Sequence, residues 1–294
     1  MYDGSIVAVV TPMAECGEID LAAWDVLIDW HIAAGTDGIV VCGTTGESPT
    51  VTLAEAVALV DRAAARLRGR LPLIAGAGTN DTATSVERTR LLAEAGADAV
   101  LAVTPYYNKP TQQGMFEHFT ALAEAASVPV ILYNVPARTG VDLLPETVQR
   151  LAPHPRIVAL KEATGSLPRL IELRERCGEE LELLSGDDPT ACEAMLAGAR
   201  GVISVTANVA PQAMHELCAA ALAGQAARAR ALDARLAPLH RALFVEPNPI
   251  PAKWAVRQLG LIQGGIRLPL TQLSAAGQVT MRQAMLAAGV PCAA

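Results

Sequence analysis

Short apolar segments alternate with amphipathic segments along the first three quarters of the chain. Continuous apolar runs of this length are typical of buried parallel strands, whereas the segments between them, such as 53–67 and 85–95, have helical spacing. Successive apolar segments begin 20–35 residues apart, which is the length of one strand–helix unit. The pattern predicts eight strands, at 6–10, 38–41, 73–75, 99–103, 130–133, 157–161, 181–185 and 201–205.

Strand–helix alternation indicates a parallel sheet, and eight units indicate closure into an α/β fold of the (β/α)₈ TIM-barrel type. The alternative is an open, doubly wound sheet with a glycine-rich first turn. Here the first turn is Thr11-Pro12-Met13, without GxGxxG, so a dinucleotide fold is disfavoured. After residue 224 the strand pattern stops, and 225–244, 249–259 and 273–288 have helical patterns. We therefore expect a catalytic barrel at 1–224 and a C-terminal helical region at 225–294, the latter with a packing or assembly role.

Composition excludes several classes of protein. The 294 residues are 51% hydrophobic with a net charge of -7, so one large core is possible and nucleic acid or anionic membrane is not an expected partner. Apolar stretches are interrupted well before the roughly 18 residues that a membrane span needs. The N-terminus lacks the basic region of a signal peptide, which predicts a cytoplasmic location.

The cysteines and histidines form no metal-binding or disulfide pattern. Six cysteines are widely spaced without CxxC, and five histidines are scattered without HxH or HExxH. We expect neither a metal nor a disulfide framework, which argues against a metal-dependent aldolase or hydrolase.

Lys161 ends the apolar run of the sixth predicted strand in a chain with only 3 lysines against 20 arginines. A lysine buried at a strand exit loses hydration of its ammonium, which favours the neutral amine that attacks a carbonyl carbon. Imine chemistry on a keto substrate needs such an amine. The alternative is a structural lysine whose long side chain reaches water from the strand end.

Other candidate side chains follow neighbouring strands, and a barrel gathers such loops on one face. The turn at 43–48, Gly-Thr-Thr-Gly-Glu-Ser, offers hydroxyls and N–H groups that can hold a carboxylate or phosphate, with helix capping as the alternative. Tyr106 and Tyr107 follow the fourth strand, and Tyr133 and Arg138 come at the fifth. A phenol can move protons and an arginine can pair with a carboxylate, although interface packing and a surface ion pair are the alternatives.

Further positions, near the strand ends and before the C-terminal helices, are interpreted from local sequence. Asp188-Pro189 and Asn248-Pro249 are typical of helix N-caps, so Asp187 and Asp188 are expected to organise a loop rather than act as acids. Gly186 and Ile203, at the ends of the seventh and eighth strands, are expected to line the pocket with backbone atoms. Together the loops predict a metal-free enzyme that condenses or cleaves a keto acid through an imine.

The chain also resembles the 4-hydroxy-tetrahydrodipicolinate synthase family, formerly called dihydrodipicolinate synthase, within the pyruvate-dependent class I aldolases. The resemblance runs through nearly the whole chain, in GTTGES (43–48), TPYYNKPTQQG (104–114), LYNVPARTG (132–140), ALKEATG (159–165), SGDD (185–188), GVISVTANV (201–209) and FVEPNPIPAKW (244–254). It implies a lyase of the diaminopimelate and lysine pathway, a barrel with a C-terminal helical extension, and a homotetramer built as a dimer of dimers.

The resemblance also implies roles for single residues. Lys161 would form the imine with pyruvate, and Thr44 and Thr45 would hold the pyruvate carboxylate. Thr44, Tyr107 and Tyr133 would relay protons, with Tyr107 reaching the site of the neighbouring subunit. Arg138 would bind the carboxylate of L-aspartate 4-semialdehyde, and Ile203 would offer its backbone carbonyl. No cofactor is implied beyond the covalent imine on Lys161.

A regulatory lysine site is implied only in part. Ser48, Asn80 and Tyr106 match the residues with which lysine-inhibited members bind lysine at the dimer interface. However, Leu53 and Ala56 replace histidines of those members, and Thr84 replaces a glutamate. The missing carboxylate removes a partner for the lysine ammonium, so the sequence predicts weak or absent inhibition by lysine.

Two other functions remain as alternatives. An N-acetylneuraminate lyase or a 2-keto-3-deoxy-sugar acid aldolase would share the lysine, the tyrosine and the glycine–threonine turn. Arg138 after Tyr133 favours the synthase, because a cation there suits a second small carboxylate. A catalytically silent barrel that binds a small acid is more remote, since Thr44, Tyr133 and Lys161 are all present.

Overall fold

Eight parallel strands close into a barrel in which each strand pairs with its neighbours in sequence. In this computed structural model, which describes residues 2–292, β8 pairs with β1 and places Ile203 opposite Ile6. The (β/α)₈ prediction is therefore confirmed and the open sheet is excluded, because an open sheet would leave β1 and β8 unpaired. Each predicted strand is present within two residues at either end: β1 (Gly4–Ala8), β2 (Gly38–Val41), β3 (Leu73–Gly76), β4 (Ala99–Val103), β5 (Val130–Asn134), β6 (Ile157–Glu162), β7 (Glu182–Ser185) and β8 (Gly201–Ser204).

Helices connect the strands around the outside of the barrel. They are α1 (Leu21–Ala33), α2 (Leu53–Leu67), α3 (Thr82–Glu94), α4 (Gln112–Ala125), α5 (Pro136–Thr139), α6 (Pro145–Leu151), α7 (Leu167–Cys177), α8 (Asp188–Leu196) and α9 (Pro211–Leu222). A 3₁₀ turn, Thr206–Asn208, follows β8. Within residues 2–292 no helix has both the length and the apolar character needed to cross a membrane.

The predicted C-terminal helices are present as α10 (Ala226–Ala242), α11 (Ile250–Gln258) and α12 (Ala275–Ala287). α10 packs against α8, α9 and α12, while α11 contacts α12 and the 3₁₀ turn after β8. The C-terminal helices thus continue the packing of the last barrel helices. Whether residues 225–294 form a separate domain stays a prediction.

Strand side chains alternate between the inside of the barrel and the helices outside, as the two-residue period of a strand requires. On β5, Ile131 and Tyr133 belong to the interior cluster. On β6, Ala159 lies in the interior cluster and Leu160 in the core between strands and helices. Lys161 comes two positions after Ala159, so it lies on the interior face and projects into the mouth of the barrel.

The N-cap prediction at Asp188-Pro189 is wrong by one residue. Helix α8 begins at Asp188, its N-cap is Asp187, and the Asp187 side chain makes no capping bond. The Asp188 carboxylate instead accepts hydrogen bonds of 2.9 Å from the backbone N–H groups of both Val205 and Thr206. Asp188 therefore organises the loop after β8, as expected, because its buried carboxylate needs donors that the next strand end supplies.

The N-cap prediction at Asn248-Pro249 is also wrong. Helix α11 begins at Ile250, with Pro249 in the cap position and no side-chain cap. The Asn248 amide turns away from the helix and donates to Thr45 Oγ1 at 2.9 Å. A tertiary hydrogen bond to a residue 203 positions earlier has replaced the local bond that the sequence favoured.

Candidate active site

Lys161 and Tyr133 lie side by side at the mouth of the barrel. Their strands are neighbours, and the register places Tyr133 of β5 directly opposite Lys161 of β6. Both are 6% exposed, and Lys161 Nζ lies 4.3 Å from the centroid of the Tyr133 ring. An amine and a phenol this close can act on one small molecule, the amine as nucleophile and the phenol as a carrier of protons. We call these two residues the lysine–tyrosine pair.

Gly186 provides the space in which the Lys161 side chain lies. A Cβ at position 186 would come within 2.9 Å of Lys161 Cε and 2.6 Å of the Ala163 Cβ, closer than such atoms approach in proteins. The Gly186 N–H donates to the Glu162 carbonyl at 2.7 Å, which fixes the glycine beside β6. Gly186 thus contributes backbone to the site, and its missing side chain lets the lysine extend.

The glycine–threonine turn at 43–48, named here the cradle turn, follows β2 directly. It is folded by its own backbone, with Gly46 N–H donating to the Gly43 carbonyl at 3.0 Å and Glu47 N–H to the Thr44 carbonyl at 3.1 Å. The helix-capping alternative does not hold, because Thr52 caps α2. The Thr44 hydroxyl and the N–H groups of Thr44 and Thr45 are not used within the turn, and such groups can bind an anion.

A cavity of about 490 Å³ opens beside the cradle turn, between the ends of β2 to β5. Its charged lining residues among those the structure describes are Arg88 of α3 and Arg138 of α5. Arg88 Nη2 makes a long 3.4 Å contact with the Gly76 carbonyl, and the buried Arg88 Nε has no hydrogen-bond partner within residues 2–292. Arg138 is exposed, and its position suits a carboxylate that enters from solvent. The cavity is cationic, and it lies beside the lysine–tyrosine pair, because neither Lys161 nor Tyr133 is among its lining residues.

The two adjacent tyrosines have different surroundings. Tyr106 is 38% exposed and lines the cavity. Tyr107 is 87% exposed, adopts a positive φ of 73°, and is not among the residues that line the cavity. A single chain therefore brings Thr44, Tyr133 and Lys161 to one face of the barrel but leaves Tyr107 pointing outward. Positive φ is unfavourable for a bulky residue and persists only where surrounding contacts hold the backbone.

A partly buried polar network, which no motif in the sequence predicted, lies behind the lysine–tyrosine pair. Asn134 Nδ2 donates to Asp142 at 2.8 Å and to Glu162 at 3.1 Å, and Asp142 forms an ion pair with Arg169. Burial raises the pKa of the Glu162 carboxyl, against hydrogen bonds from Asn134 and Thr164 that lower it. Although burial alone would raise the pKa of Asp142, hydrogen bonds from Arg169 and Asn134 lower it. The network holds the ends of β5 and β6 together. Its signal in the sequence was the polar residue directly after each of Tyr133 and Lys161, namely Asn134 and Glu162.

A second missed feature is a buried ion pair beneath the cradle turn. Lys253 of α11 pairs with Glu47, and the two residues are 5% and 1% exposed. Burial lowers the pKa of Lys253 below its ordinary value, while the attraction of Glu47 opposes that shift. The signal in the sequence was that Lys253 is one of only three lysines and stands in an apolar helix.

The positions matched to a regulatory lysine site surround the outer part of the cavity. Ser48, Leu53 and Tyr106 line it, and the Asn80 carbonyl accepts a hydrogen bond from the neighbouring loop. Thr84 does not replace the missing carboxylate, because its hydroxyl and its N–H both bind the Asp81 carboxylate at the start of α3. Ala56 is fully buried.

The arrangement has the parts for imine chemistry on a small acid. It combines a buried amine, a phenol against that amine, an anion cradle and an arginine at the opening. Within residues 2–292, no group of three or more His, Cys, Asp or Glu side chains is placed to hold a metal ion.

The family model and the curated relatives that match this chain belong to the same family. The model of the dihydrodipicolinate synthetase family matches residues 1–288. The curated 4-hydroxy-tetrahydrodipicolinate synthase of Stutzerimonas stutzeri is 55% identical to this chain over 290 residues, which are 99% of either protein.

Solved structures agree with the same family. A dihydrodipicolinate synthase of Acinetobacter baumannii, described as chloride-inhibited and complexed with pyruvate, is 48% identical with a TM-score of 0.98. That match covers 99% of this chain and all of the other. A dihydrodipicolinate synthase described as a monomeric variant is 38% identical with a TM-score of 0.96, and the match covers 99% and 98% of the two chains.

Proposed function

The chain belongs to the dihydrodipicolinate synthetase family, and on that premise we propose that Lys161 condenses pyruvate with L-aspartate 4-semialdehyde. Its activity is that of a 4-hydroxy-tetrahydrodipicolinate synthase, a lyase of diaminopimelate and lysine biosynthesis. The observation that carries the residue assignment is the placement of Lys161 Nζ 4.3 Å from the Tyr133 ring on the interior face of the barrel. The aldolase alternatives are not favoured by the family assignment.

The first half of the reaction activates pyruvate. The Lys161 amine adds to the ketone carbon of pyruvate, and loss of water gives the imine. Removal of a proton from the pyruvate methyl group then gives the enamine, while the imine nitrogen, protonated, acts as the electron sink. Tyr133 carries these protons because its ring lies against Lys161. Thr44 and Thr45 of the cradle turn hold the pyruvate carboxylate.

The second half forms the new carbon–carbon bond. The enamine carbon adds to the aldehyde carbon of the semialdehyde, whose oxygen takes up a proton. The amino group of the semialdehyde then attacks the imine carbon, closes the ring and releases the Lys161 amine. Arg138 binds the semialdehyde carboxylate, since it lines the cavity and is exposed to solvent. The backbone of Gly186 and the carbonyl of Ile203 complete the pocket.

No cofactor enters this scheme, because pyruvate bound to Lys161 as an imine supplies the electron sink. The reaction requires soluble metabolites, and we place the enzyme in the cytoplasm. Neither nucleic acid nor a membrane has a part in the reaction, which agrees with the net charge of -7.

Assembly completes the site in this proposal. The 87% exposure of Tyr107 supports a role in the proton relay of a neighbouring subunit, within a dimer that pairs into a tetramer as the family resemblance implies. A solved relative is described as a monomeric variant, so the assembly of this chain needs its own measurement. Full activity of a monomer, in analytical ultracentrifugation coupled to an assay, would remove Tyr107 from this role.

The function is tested by steady-state turnover of pyruvate with aspartate semialdehyde, beside cleavage of N-acetylneuraminate and 2-keto-3-deoxygluconate. We expect turnover only in the first assay. Borohydride added with pyruvate should trap an adduct that peptide mapping places on Lys161. An adduct on Lys109 or Lys253, or none, would overturn the mechanism.

A further inference from the structure

Two side chains from the C-terminal region reach the cradle turn through the protein interior. Asn248 Nδ2 donates to Thr45 Oγ1 at 2.9 Å, and Lys253 pairs with Glu47. All four residues are at most 5% exposed. The contacts join segments that are 203 and 206 positions apart in the sequence. The C-terminal region therefore touches the part of the site that binds a carboxylate.

The cradle turn needs external support because its backbone is strained. Glu47 has a positive φ of 58°, a conformation that is unfavourable for a residue with a long side chain. Both of its carboxylate oxygens are engaged, one by Lys253 and the other by the Arg267 N–H at 3.0 Å. Such a conformation persists only where surrounding contacts hold it. Here those contacts come from residues 253–267.

Stability alone does not explain a buried ion pair at this position. Removing two charges from water costs about as much free energy as their attraction returns, and well-packed apolar residues are often equal or better. This ion pair does, however, have a demanding geometry, because both carboxylate oxygens of Glu47 must meet their donors. The structure therefore puts a geometrically demanding contact under the cradle turn.

The Asn248 contact has a specific chemical consequence. A hydroxyl oxygen that accepts a hydrogen bond keeps its own proton for another acceptor. Because the Asn248 amide donates to Thr45 Oγ1, the Thr45 hydroxyl proton is left for the substrate carboxylate. We propose that Asn248 and Lys253 are positioning residues, which hold Thr45 and Glu47 so that the cradle turn binds pyruvate. The proposal rests on the function above, in which Thr44 and Thr45 hold the pyruvate carboxylate.

Two substitutions at position 248 test the orientation of the hydroxyl. Asn248→Ala removes the donor, and we expect the KM for pyruvate to rise about tenfold, the effect of one hydrogen bond to a charged group. Asn248→Asp keeps the shape but offers an acceptor that takes the Thr45 proton, so its KM for pyruvate should rise further. In both variants the KM for the semialdehyde should stay within about twofold of wild type, since no contact to Arg138 changes.

The ion pair is tested by a double variant that leaves no buried charge alone. Lys253→Met with Glu47→Gln removes both charges and keeps similar volumes. We expect this protein to fold, to show a raised KM for pyruvate and to be trapped more slowly by borohydride with pyruvate. Lys253→Arg, which keeps the charge, should recover part of the loss. If Asn248→Ala does not fold, the double variant decides the question.

Leu236→Ala in α10 is the matched control. It truncates a buried C-terminal side chain far in sequence from the cradle turn and lowers stability without removing a contact to that turn. Its KM for pyruvate should equal that of wild type. Equal KM values for pyruvate in wild type, Asn248→Ala and the double variant would overturn the inference. Failure of wild type itself to form a pyruvate adduct would instead overturn the proposed function, so the two failures are distinguishable.

Discussion

Lys161 and Lys253 are buried to nearly the same degree, at 6% and 5%, yet their electrostatic surroundings differ. Lys253 lies under the cradle turn and pairs with Glu47. Lys161 lies over the Tyr133 ring, and among residues 2–292 it has no carboxylate within ion-pair distance. The chain's remaining lysine, Lys109, is exposed. Lys253 is therefore held in place by an ion pair, whereas Lys161 contacts an aromatic ring.

The difference follows from what a buried ammonium requires. A buried ammonium loses its water shell, and an opposite charge beside it replaces part of the lost stabilisation. Lys253 has such a partner and therefore acts as a tie between α11 and the cradle turn. Lys161 has an aromatic face instead, and Gly186 leaves space for its side chain to extend. Burial alone would not distinguish Lys161, the proposed nucleophile, from Lys253, which stabilises the structure.

The largest expected effect comes from removing the reactive amine. Lys161→Arg keeps a cation in the barrel, but a guanidinium stays protonated and cannot form an imine. We expect kcat/KM to fall by roughly three decades or more, because the covalent route is lost. Steady-state assays measure the loss, and Lys109→Arg is the matched control that should remain active. Substantial turnover by Lys161→Arg would place the nucleophile elsewhere.

The structural lysine should show its effect in stability. Lys253→Met alone leaves Glu47 buried without a countercharge, which we expect to lower the free energy of unfolding by roughly 3–5 kcal/mol. The double variant with Glu47→Gln should lose much less. Denaturant unfolding measures both, and Arg62→Gln, which breaks an exposed ion pair with Asp25, should have little effect. Equal losses in the single and double variants would mean that the charge of Lys253 is not what matters.

Arg138 should affect only the second substrate. Arg138→Ala removes a charge-assisted contact to the semialdehyde carboxylate worth roughly 1.5–3 kcal/mol, or about one to two decades. Pyruvate imine formation, followed by borohydride trapping, should stay close to wild type because the cradle turn is unchanged. The KM for the semialdehyde measures the first effect, and the rate of borohydride trapping with pyruvate measures the second. An equal loss in the semialdehyde step and in pyruvate imine formation would contradict the proposal that the cradle turn binds pyruvate and Arg138 binds the semialdehyde.

Lysine should inhibit this enzyme weakly or not at all. The cavity that Ser48 and Tyr106 line has no carboxylate among its described residues, and Arg88 contributes a positive charge to its lining. The missing acceptor is worth roughly 1.5–3 kcal/mol, about one to two decades of affinity. A lysine titration of the purified enzyme measures this. Strong inhibition at submillimolar lysine would show that other side chains supply the acceptor.

A pH effect on stability is expected from His31, which, like Lys161, is buried without a carboxylate partner among residues 2–292. Burial lowers the pKa of His31 from 6.5 to about 3, and its Nδ1 lies 3.0 Å from Thr36 Oγ1. Below pH 6.5 the unfolded chain binds a proton that the folded chain does not, so stability falls as the pH drops, by about 1.4 kcal/mol per unit. Unfolding free energies at pH 6 and pH 4 should therefore differ less in His31→Gln. An equal pH dependence of the unfolding free energy in His31→Gln and wild type would contradict a neutral His31 ring in the folded protein.

Much of the fold was predictable because its signals are local. Runs such as 38–41 and 99–103 match β2 and β4 at both ends, since a buried strand shows its apolar character in consecutive residues. Where a side chain had a choice of partner, the local interpretation was wrong. Asn248 has the sequence of a helix cap, but its amide binds Thr45 in the barrel. Propensity describes the average environment of a dipeptide, and tertiary contacts override it.

The sequence by itself determined the order of strands and helices, the position of Lys161 at a strand exit, and the residue types near it. The period of apolar residues and the length of each unit carry that information along the chain. Only the tertiary structure decided which buried lysine has a countercharge, that Gly186 makes room for Lys161, and that Tyr107 points away from its own barrel. Those facts depend on distances between residues far apart in sequence, which exist only after the barrel closes and the C-terminal helices pack against it.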